Sequence, residues 1–304
     1  MDRDWKSING RLIQQGTILV DLRFLEKRKE ELAFMNECKE GAPFEYPESL
    51  INYAGTVRCM FRLPYRQTQG LLIGIGQKVP ELSAPSYSQI CRRFNKLPVH
   101  IKPKKSSQPL WVAVDASGIS VTNNGVWMRK IHRKGQISEC KGFLKIHVAV
   151  DVHTHELLAI EVTREDVGDN TMLKPVLIQT IENTGRNIER LMADGAYDTY
   201  DNFEGLKQAG IEPAIRIDDN AIIDPPPPDF IHRNRPEPVR TTHARTQLSD
   251  QEKWKQDTEY GLRWFSEGFF SVIKRRHGEY VMAHNYTNMQ HEMCYKAQLY
   301  NQLL

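Results

Sequence analysis

The 304-residue sequence lacks a hydrophobic run long enough to cross a membrane. Its longest apolar stretches, such as LLIGIG, are far shorter than the roughly 20 residues that span a bilayer. The first ten residues, MDRDWKSING, contain no apolar run and do not predict a signal peptide. The five cysteines are odd in number, widely spaced and never in a C-x-x-C pair, which argues against a disulfide framework and a structural zinc site. We therefore expect a soluble, cytoplasmic protein without a membrane partner.

Positive and negative charges are nearly balanced overall, with a net charge of +3, but they are unevenly distributed along the chain. Residues 58–105 contain ten Lys or Arg and a single acid, Glu81, so the rest of the chain is mildly acidic. A basic segment beside an acidic body is typical of a module that binds a polyanion such as nucleic acid. A basic face that only contacts solvent is the alternative interpretation.

The N-terminal third predicts helices. Residues 5–40 have a helical pattern, and residues 47–97 predict three short helices that end before a polar linker at 102–109. Three short helices in a basic segment are typical of a helix-turn-helix-like domain. We predict that residues 1–107 form an all-α DNA-binding domain.

The third of these helices, in SYSQICRRFNKL, carries the most specific pattern. Ser86 followed three positions later by Gln89 is a capping box, which predicts the start of the helix. An apolar stripe then predicts the buried face, formed by Ile90, Phe94 and Leu97. Arg92 and Arg93 lie away from this stripe, so we expect both to be exposed and to bind DNA.

From Leu110 the pattern changes to strands that alternate with helices. The predicted order is β-β-β-α-β-α-β-loop-α, which is typical of a mixed α/β fold. Residues 218–247 include a PPPP run and predict a loop, and the segment from about Leu248 to Lys274 predicts one continuous helix. We assign residues 108–304 to a second domain.

One helical stretch, YGLRWFSEGFFSVIK at 260–274, holds four polar residues among apolar ones. At about 100° per residue, a single narrow face contains Tyr260, Arg263, Glu267 and Lys274. Taken alone, these four residues are most simply a solvated face with an ion pair between Arg263 and Glu267.

Two aspartates change that interpretation. Asp115 and Asp194 are each predicted near the end of an apolar strand, where a buried carboxylate is costly unless it is paired or binds a cation. With Glu267 they form a set of three carboxylates, and such oxygen ligands suit Mg²⁺. A pair of these ions stabilises both the attacking and the leaving oxygen of an in-line phosphoryl displacement. The pattern predicts phosphodiester chemistry, with the neighbouring cations and phenol bound to DNA phosphates.

The spacing of Tyr260, Arg263, Glu267 and Lys274 resembles the Y-x2-R-x3-E-x6-K signature of DDE transposases from bacterial and archaeal insertion sequences. The resemblance is closest to the insertion-sequence-five type and covers nearly the whole chain. Further similar segments are WKSINGRLIQQG, FRLPYRQTQG, SYSQICRRF, FLKIHVAVD, MADGAYD and LYNQLL.

This resemblance implies a ribonuclease H-like catalytic fold behind the helical domain. It implies that Asp115, Asp194 and Glu267 are the catalytic acids and hold Mg²⁺ or Mn²⁺, as a pair of ions. The expected partners are double-stranded DNA, as element ends and as target, and a second copy of the chain on that DNA. The expected location is the nucleoid of a prokaryotic cytoplasm.

Two other functions stay open at this point. One is a catalytically silent DNA-binding protein derived from a transposase, and the other is a ribonuclease H-like nuclease of repair or resolution. Among other polar residues, Asp151 is expected to cap a turn, and Lys145 and His147 are expected to be structural or to face DNA. His277 is expected to be a cation at a helix C-terminus.

Overall fold

The computed structural model describes residues 4–104, 106, 108–121, 143–218 and 238–304. The chain forms two compact units, each with a core of its own. The first comprises Met1–His100, Arg275–Gly278 and Met282–Leu304, and the second comprises Ile101–Lys274 and Glu279–Val281. Within the described ranges, no helix is both long and apolar enough to span a bilayer.

The regular elements follow one another in the order α1–α5, β1–β3, α6, β4, α7, β5 and α8–α11. The helices are α1 (Trp5–Thr17), α2 (Arg28–Asn36), α3 (Glu48–Phe61), α4 (Tyr65–Gly76), α5 (Tyr87–Phe94), α6 (Leu173–Thr184), α7 (Tyr200–Gln208), α8 (Val239–Ser249), α9 (Gln251–Asp257), α10 (Trp264–His277) and α11 (Tyr286–Gln302). The strands are β1 (Leu110–Ser120), β2 (Phe143–Asp151), β3 (Leu157–Arg164), β4 (Ile188–Ala193) and β5 (Glu212–Ile215). Short 3-10 turns lie at Ile18–Val20, Arg23–Leu25, Asp169–Met172, Gly195–Tyr197 and Tyr260–Arg263.

In the first unit, the three predicted helices of residues 47–97 are confirmed as α3, α4 and α5. The Ser86 hydroxyl accepts a hydrogen bond from the Gln89 amide at 3.3 Å, as the capping box predicts. The predicted apolar stripe is buried at Ile90, Phe94 and Leu97. The helical prediction for residues 5–40 is only partly correct, because two 3-10 turns separate α1 from α2.

The C-terminal helix α11 belongs to this first unit. It contributes Glu292 and Lys296, whose side chains are only 1% exposed and form an ion pair at 2.8 Å. Glu292 also accepts a hydrogen bond at 3.3 Å from Arg58 of α3, which is equally buried. Removing one member of such a buried network leaves an uncompensated charge. The first unit therefore depends on C-terminal residues that the predicted division after residue 107 assigns to the second domain.

The second unit is built on a five-stranded sheet in the order β3-β2-β1-β4-β5. β1 pairs antiparallel with β2, which pairs antiparallel with β3. β1 also pairs parallel with β4, which pairs parallel with β5. This mixed sheet with its helices confirms the predicted α/β class, and the predicted hairpin turn lies between β2 and β3.

Both faces of this sheet are covered. Successive side chains of a strand point to opposite sides, so neighbouring residues of β1 belong to two different clusters. On one face, Val112 and Val114 of β1 join a core with residues of α6 and α7. On the other face, Ala113 of β1 and Met192 of β4 form a cluster against which Leu262 and Phe265 pack. The turn Tyr260–Arg263 and the start of α10 thus lie over the same face as Ala113.

Two sequence predictions for residues 218–274 are wrong in part. Residues 239–247 are not a loop, because α8 begins at Val239 and its Gln247 amide donates to the Ile215 carbonyl at 2.7 Å. The segment 219–237, with the PPPP run, lies outside the described residues. The continuous helix is interrupted at Asp250, whose backbone is not helical and whose side chain caps α9 by accepting from the Lys253 amide. It is interrupted again at Glu259, which is left-handed at φ 51°.

Candidate active site

Neighbouring strands place the two aspartates, because Asp115 lies within β1 and Asp194 directly follows β4. The parallel pairing of β1 with β4 ends at the pair Ala113–Met192, and Asp115 and Asp194 each follow two residues later. Because side chains alternate along an extended chain, Asp115 lies on the same face as Ala113, and Asp194 lies on the same face as Met192. Neighbouring strands are about 4.8 Å apart. The prediction that Asp115 lies near the end of its strand is wrong, because β1 continues to Ser120 beside β2. It lies instead just beyond the end of the parallel pairing.

Asp115 is largely buried and has three neighbours that stabilise its charge. Its Oδ1 accepts a hydrogen bond from the Ala116 amide at 2.8 Å. Its Oδ2 lies 3.2 Å from the Arg263 Nη1 and 3.2 Å from the Ser266 hydroxyl, and both can donate to it. Burial nevertheless raises the pKa of Asp115, and the nearby Asp194 raises it further, against the opposing effect of Arg263. A further cation at this position would therefore stabilise the ionised carboxylate.

Asp194 begins the 3-10 turn Gly195–Tyr197 directly after β4. Its Oδ1 accepts a hydrogen bond from the Ala196 amide at 3.0 Å, which caps the turn. Among the described residues this is the one hydrogen bond of the Asp194 side chain, and the carboxylate retains acceptor capacity.

Glu267 lies in the first turn of α10 and its side chain is 58% exposed. Its Oε1 accepts from the Arg263 Nη2 at 2.6 Å. A single guanidinium therefore binds Glu267 and Asp115 together, which joins the helix to the sheet through one cation. The predicted pairing of Arg263 with Glu267 is present. The helical wheel is wrong for its first residues, since Tyr260 and Arg263 belong to a 3-10 turn before α10.

The other two residues of the predicted polar face differ in their surroundings. The Lys274 ammonium donates to the Ser117 hydroxyl at 2.8 Å, so Lys274 reaches β1 two residues beyond Asp115. Tyr260 packs on Trp254, with ring centroids 4.9 Å apart. Burial raises the pKa of Tyr260, while Arg263 opposes that rise. Tyr260 therefore remains a phenol that can donate a hydrogen bond.

The donors at this site suit a hard divalent cation, but they are not assembled around a common position. Carboxylate oxygens are the ligands that Mg²⁺ and Mn²⁺ prefer. In the part of the chain that the structure describes, no three His, Cys, Asp or Glu residues are grouped closely enough to hold a metal ion. The guanidinium of Arg263 instead occupies oxygens of both Asp115 and Glu267. The residues fit a metal by their chemistry, provided that Arg263 is displaced.

Ser266 is a site residue that the sequence analysis missed. It is fully buried, and its hydroxyl can donate either to Asp115 or to the Arg263 carbonyl, at 3.2 and 2.8 Å. The signal in the sequence is a small polar residue between Phe265 and Glu267.

Three other polar residues considered in the sequence analysis have structural roles here. Asp151 accepts from the His153 amide at 2.9 Å and caps the hairpin turn, as expected. His147 is buried, with its Nε2 2.9 Å from the Thr163 hydroxyl, and burial lowers its pKa to about 4. Lys145 forms an ion pair with Asp169 at 2.8 Å.

The prediction of a cationic His277 is wrong. The side chain of His277 is buried within the first unit, and its Nδ1 lies 3.3 Å from the Cys59 carbonyl oxygen. Burial lowers the pKa of His277 to about 4, so the imidazole is neutral near pH 7.

The two arginines of α5 are not equivalent. Arg92 is exposed, and its Nε approaches the Ser88 carbonyl one turn earlier. Arg93 is half-buried, donates to the Tyr46 carbonyl and lies over the Phe44 ring at 5.0 Å. The expectation that both are exposed is therefore wrong for Arg93, because residues before α3 fold over it.

Comparison with known families identifies one description over most of the chain. A family model described as "Transposase DDE domain" matches residues 106–302, about two thirds of the sequence. A second model with the same description matches residues 13–124. Together the two matches cover both the helical N-terminal region and the sheet with its following helices.

Three solved structures show a distant likeness. A piggyBac transposase synaptic complex with hairpin DNA has 10% identity and a TM-score of 0.30, over 74% of this chain and 54% of that one. The present chain thus spans about half the length of the piggyBac chain. A simian T-cell lymphotropic virus intasome with a PP2A regulatory subunit has 10% identity and a TM-score of 0.26, over 80% and 74%. The Mos1 mariner paired end complex with Mn has 9% identity and a TM-score of 0.26, over 85% and 88%.

Proposed function

The chain belongs to the transposase DDE domain family, and on this premise we propose that it is the DNA transposase of an insertion sequence of the insertion-sequence-five type. In this proposal it binds the terminal inverted repeats of its element, cleaves there, and joins the 3′-hydroxyl ends to target DNA. The observation that carries the proposal is the placement of Asp115 and Asp194 two residues beyond the same strand pair, with Glu267 tied to Asp115 through Arg263.

Asp115, Asp194 and Glu267 are the proposed catalytic acids and the ligands of Mg²⁺ or Mn²⁺. When bound, two such ions would neutralise charge on the attacking and leaving oxygens of an in-line displacement. Ser266 and the Ala116 amide hold the Asp115 carboxylate in place. With metal ions on these carboxylates, Arg263 would be released from them and available for a DNA phosphate. A guanidinium binds phosphate in the same bidentate manner as carboxylate.

The sheet of the second unit is the proposed ribonuclease H-like catalytic core, with residues 108–304 as the catalytic domain and 1–107 as the DNA-binding domain. The order β3-β2-β1-β4-β5 and the family match support the catalytic part. The α3–α5 helices and their excess of basic residues support the helix-turn-helix-like part. A second copy of the chain on DNA, in the nucleoid of a prokaryotic cytoplasm, completes the proposal.

Arg92 and Arg93 should respond differently to replacement by alanine. We expect Arg92→Ala to weaken DNA binding without lowering stability, because Arg92 is exposed. Arg93→Ala should lower the free energy of unfolding by about 1–2 kcal/mol, since it loses a hydrogen bond and a cation–π contact. Urea unfolding and a gel-shift titration of both variants give the comparison. Equal loss of stability in the two variants would show that Arg92 is also held by the fold.

Lys274 is expected to contact the DNA backbone. Lys274→Ala should reduce the slope of log affinity against log salt concentration by about one unit, because one phosphate contact is lost. Ser117→Ala is the matched control, since it removes the protein partner of Lys274 and leaves the ammonium in place. If both variants keep the parent slope, Lys274 serves only to join α10 to β1.

The proposed function is tested with the full-length protein and DNA that carries the short inverted repeats flanking its own gene. We expect Mg²⁺-dependent strand breaks at the outer ends of these repeats, followed by joining to a second DNA. Binding to the repeats without any break would instead indicate a silent transposase-derived protein. Breaks without preference for the repeats would indicate a nuclease of another role.

A further inference from the structure

A surface on α4 and α5 combines two arginines with an exposed aromatic ring. Opposite its buried apolar stripe, α5 presents Ser88 and Arg92, which lie four positions apart and are both exposed. Arg66 of α4 is also exposed, and its guanidinium carbon lies 4.8 Å from the centre of the Tyr87 ring. Tyr87, the first residue of α5, is 42% exposed. Of these four residues, the proposed function so far uses only Arg92.

Side-chain contacts hold this surface in place. The Gln69 side-chain oxygen accepts a hydrogen bond from the Tyr87 amide at 2.9 Å, which joins α4 to the start of α5. The Arg92 Nε approaches the Ser88 carbonyl at 3.4 Å, so the side chain of Arg92 lies along the outer side of the helix. The Arg66 guanidinium lies over a ring that belongs to the neighbouring helix. Cations that are already oriented lose less conformational freedom when they bind a ligand.

The charge of this region has one sign. Residues 62–96 contain six Lys or Arg and a single acid, Glu81. Among the described residues, the guanidiniums of Arg66 and Arg92 contact a ring and a carbonyl, and neither is paired with a carboxylate. An exposed arginine without a counter-ion remains available to an anionic partner, and the local excess of cations favours a polyanion.

We propose that this surface reads the sequence of the element ends, with Ser88 and Arg92 on base edges in the major groove and with Arg66, placed by Tyr87, on a flanking phosphate. This inference rests on the proposed function, in which α3–α5 bind the terminal repeats. In a helix-turn-helix pair the second helix enters the major groove, while the first helix crosses the DNA backbone. α5 supplies the second of these helices and α4 supplies the first.

The two arginines suit different parts of the DNA. Arg92 lies on the outer face of α5, and a guanidinium can donate to both O6 and N7 of one guanine. Ser88, one turn earlier on the same face, can donate to a base edge or accept from it. Arg66 lies in the first turn of α4, and a guanidinium that rests on an aromatic ring keeps its N–H donors for a phosphate.

The test compares two DNAs of equal length, one with the inverted repeats that flank the gene and one of random sequence, each titrated with the full-length chain over a salt series. Arg92→Ala should lower the ratio of the two affinities by about tenfold, because a bidentate base contact is lost. A scan of single base-pair changes should show a G·C pair that the parent distinguishes and Arg92→Ala does not. Arg66→Ala should instead weaken both DNAs alike and reduce the slope of log affinity against log salt by about one unit.

Three further variants serve as controls. Tyr87→Leu should weaken both DNAs alike by about threefold, because Arg66 loses the ring that places it. Tyr87→Phe keeps the ring and should bind like the parent. Lys78→Ala removes an exposed cation just beyond the other end of α4, roughly 18 Å from Arg66 along the helix axis. This last variant should keep the affinity ratio of the parent. The thermal unfolding midpoints of Arg66→Ala and Arg92→Ala should equal that of the parent, because both side chains are exposed.

The outcomes separate this inference from the function on which it rests. If the parent prefers the repeats and the double variant Ser88→Ala, Arg92→Ala keeps that preference and the same base-pair profile, the inference is overturned and the proposed function stands. If Arg66→Ala lowers the affinity ratio and leaves the salt slope unchanged, the assignment of Arg66 to a phosphate is overturned. If the parent binds the repeats no better than random DNA, the proposed function is overturned together with this inference.

Discussion

Replacement of Asp115 by asparagine is expected to reduce strand cleavage in Mg²⁺ by about 1,000-fold, equivalent to roughly 4 kcal/mol of transition-state stabilisation. The carboxamide has nearly the same shape, so the contact with the Ala116 amide can persist. What is lost is the negative charge at a buried position, where burial and Asp194 already make a carboxylate dependent on a nearby cation. Binding to DNA ends should stay within about threefold of the parent, because Asp115 donates nothing to phosphate.

The measurement pairs a cleavage time course with a binding titration on the same DNA. Asp151→Asn is the control, since Asp151 ends the neighbouring strand β2 but pairs with Val112, whose side chain lies on the opposite face from that of Asp115. The Asp151 side chain caps a turn through an oxygen that asparagine retains. We expect Asp151→Asn to cleave like the parent. Cleavage by Asp115→Asn at the parent rate would remove Asp115 from the site.

The position of Asp115 shows what strand patterns can and cannot predict. The apolar run LWVAV correctly predicted a strand that contains an acid, although not the position of that acid within it. The strand continues beyond the acid, however, because β2 pairs with it as far as Ser120. The chemically important boundary is the end of the pairing with β4, and β4 lies about 70 residues away in sequence. A partner at that distance cannot be identified from the local pattern.

The Arg263–Glu267 pair, by contrast, was predictable from the local spacing of its two residues. Their i, i+4 spacing places them on one side of an α-helix, and the pair forms although Arg263 belongs to a 3-10 turn. The third partner, Asp115, is 148 residues away and was predicted only as part of a set of acids. The helical spacing therefore predicted the Arg263–Glu267 pair, while the structure adds Asp115 of β1 as a second carboxylate partner of the same guanidinium.

Contacts with residues distant in sequence explain why several charged side chains are more buried than their local pattern indicates. The charges of Glu292 and Lys296 would usually indicate a solvated helix face, yet both are buried, with Glu292 paired to Lys296 and to Arg58 of α3. Arg93 looked as exposed as its neighbour Arg92, but Phe44 and Tyr46 cover it. In each case the residues that cover the charge come from distant parts of the chain, and no local periodicity reports them.

The second large effect that we expect involves Arg263 and the coupling between metal binding and DNA binding. Its guanidinium binds one oxygen of Asp115 and one of Glu267, so in the proposed function it would compete with a metal ion for both carboxylates. A DNA phosphate offers the guanidinium another partner with a similar geometry. DNA binding should therefore release the two carboxylates and raise metal affinity, and metal should raise DNA affinity by the same factor.

Arg263→Ala is expected to bind Mn²⁺ about tenfold more tightly than the parent in the absence of DNA, because hydrogen bonds to charged groups worth roughly 1.5 kcal/mol no longer compete. The same variant should cleave about 100-fold more slowly, since a donor to the phosphate is lost. Calorimetric titration of Mn²⁺, with and without the DNA end, measures both the affinity and its coupling to DNA. The coupling should be present in the parent and absent in Arg263→Ala.

Arg190→Ala provides the control for removal of an arginine–carboxylate pair. Arg190 binds Glu212 at 2.8 and 3.0 Å on the same sheet, four residues before Asp194 along β4, and it also donates to the Thr258 carbonyl at 3.1 Å. Its removal should leave Mn²⁺ affinity and the coupling to DNA at the parent values. If Arg263→Ala also binds Mn²⁺ with the parent affinity in the absence of DNA, the guanidinium does not compete with the metal. The bond between Arg263 and Glu267 would then be an ordinary surface ion pair, whose contribution is typically below about 1 kcal/mol.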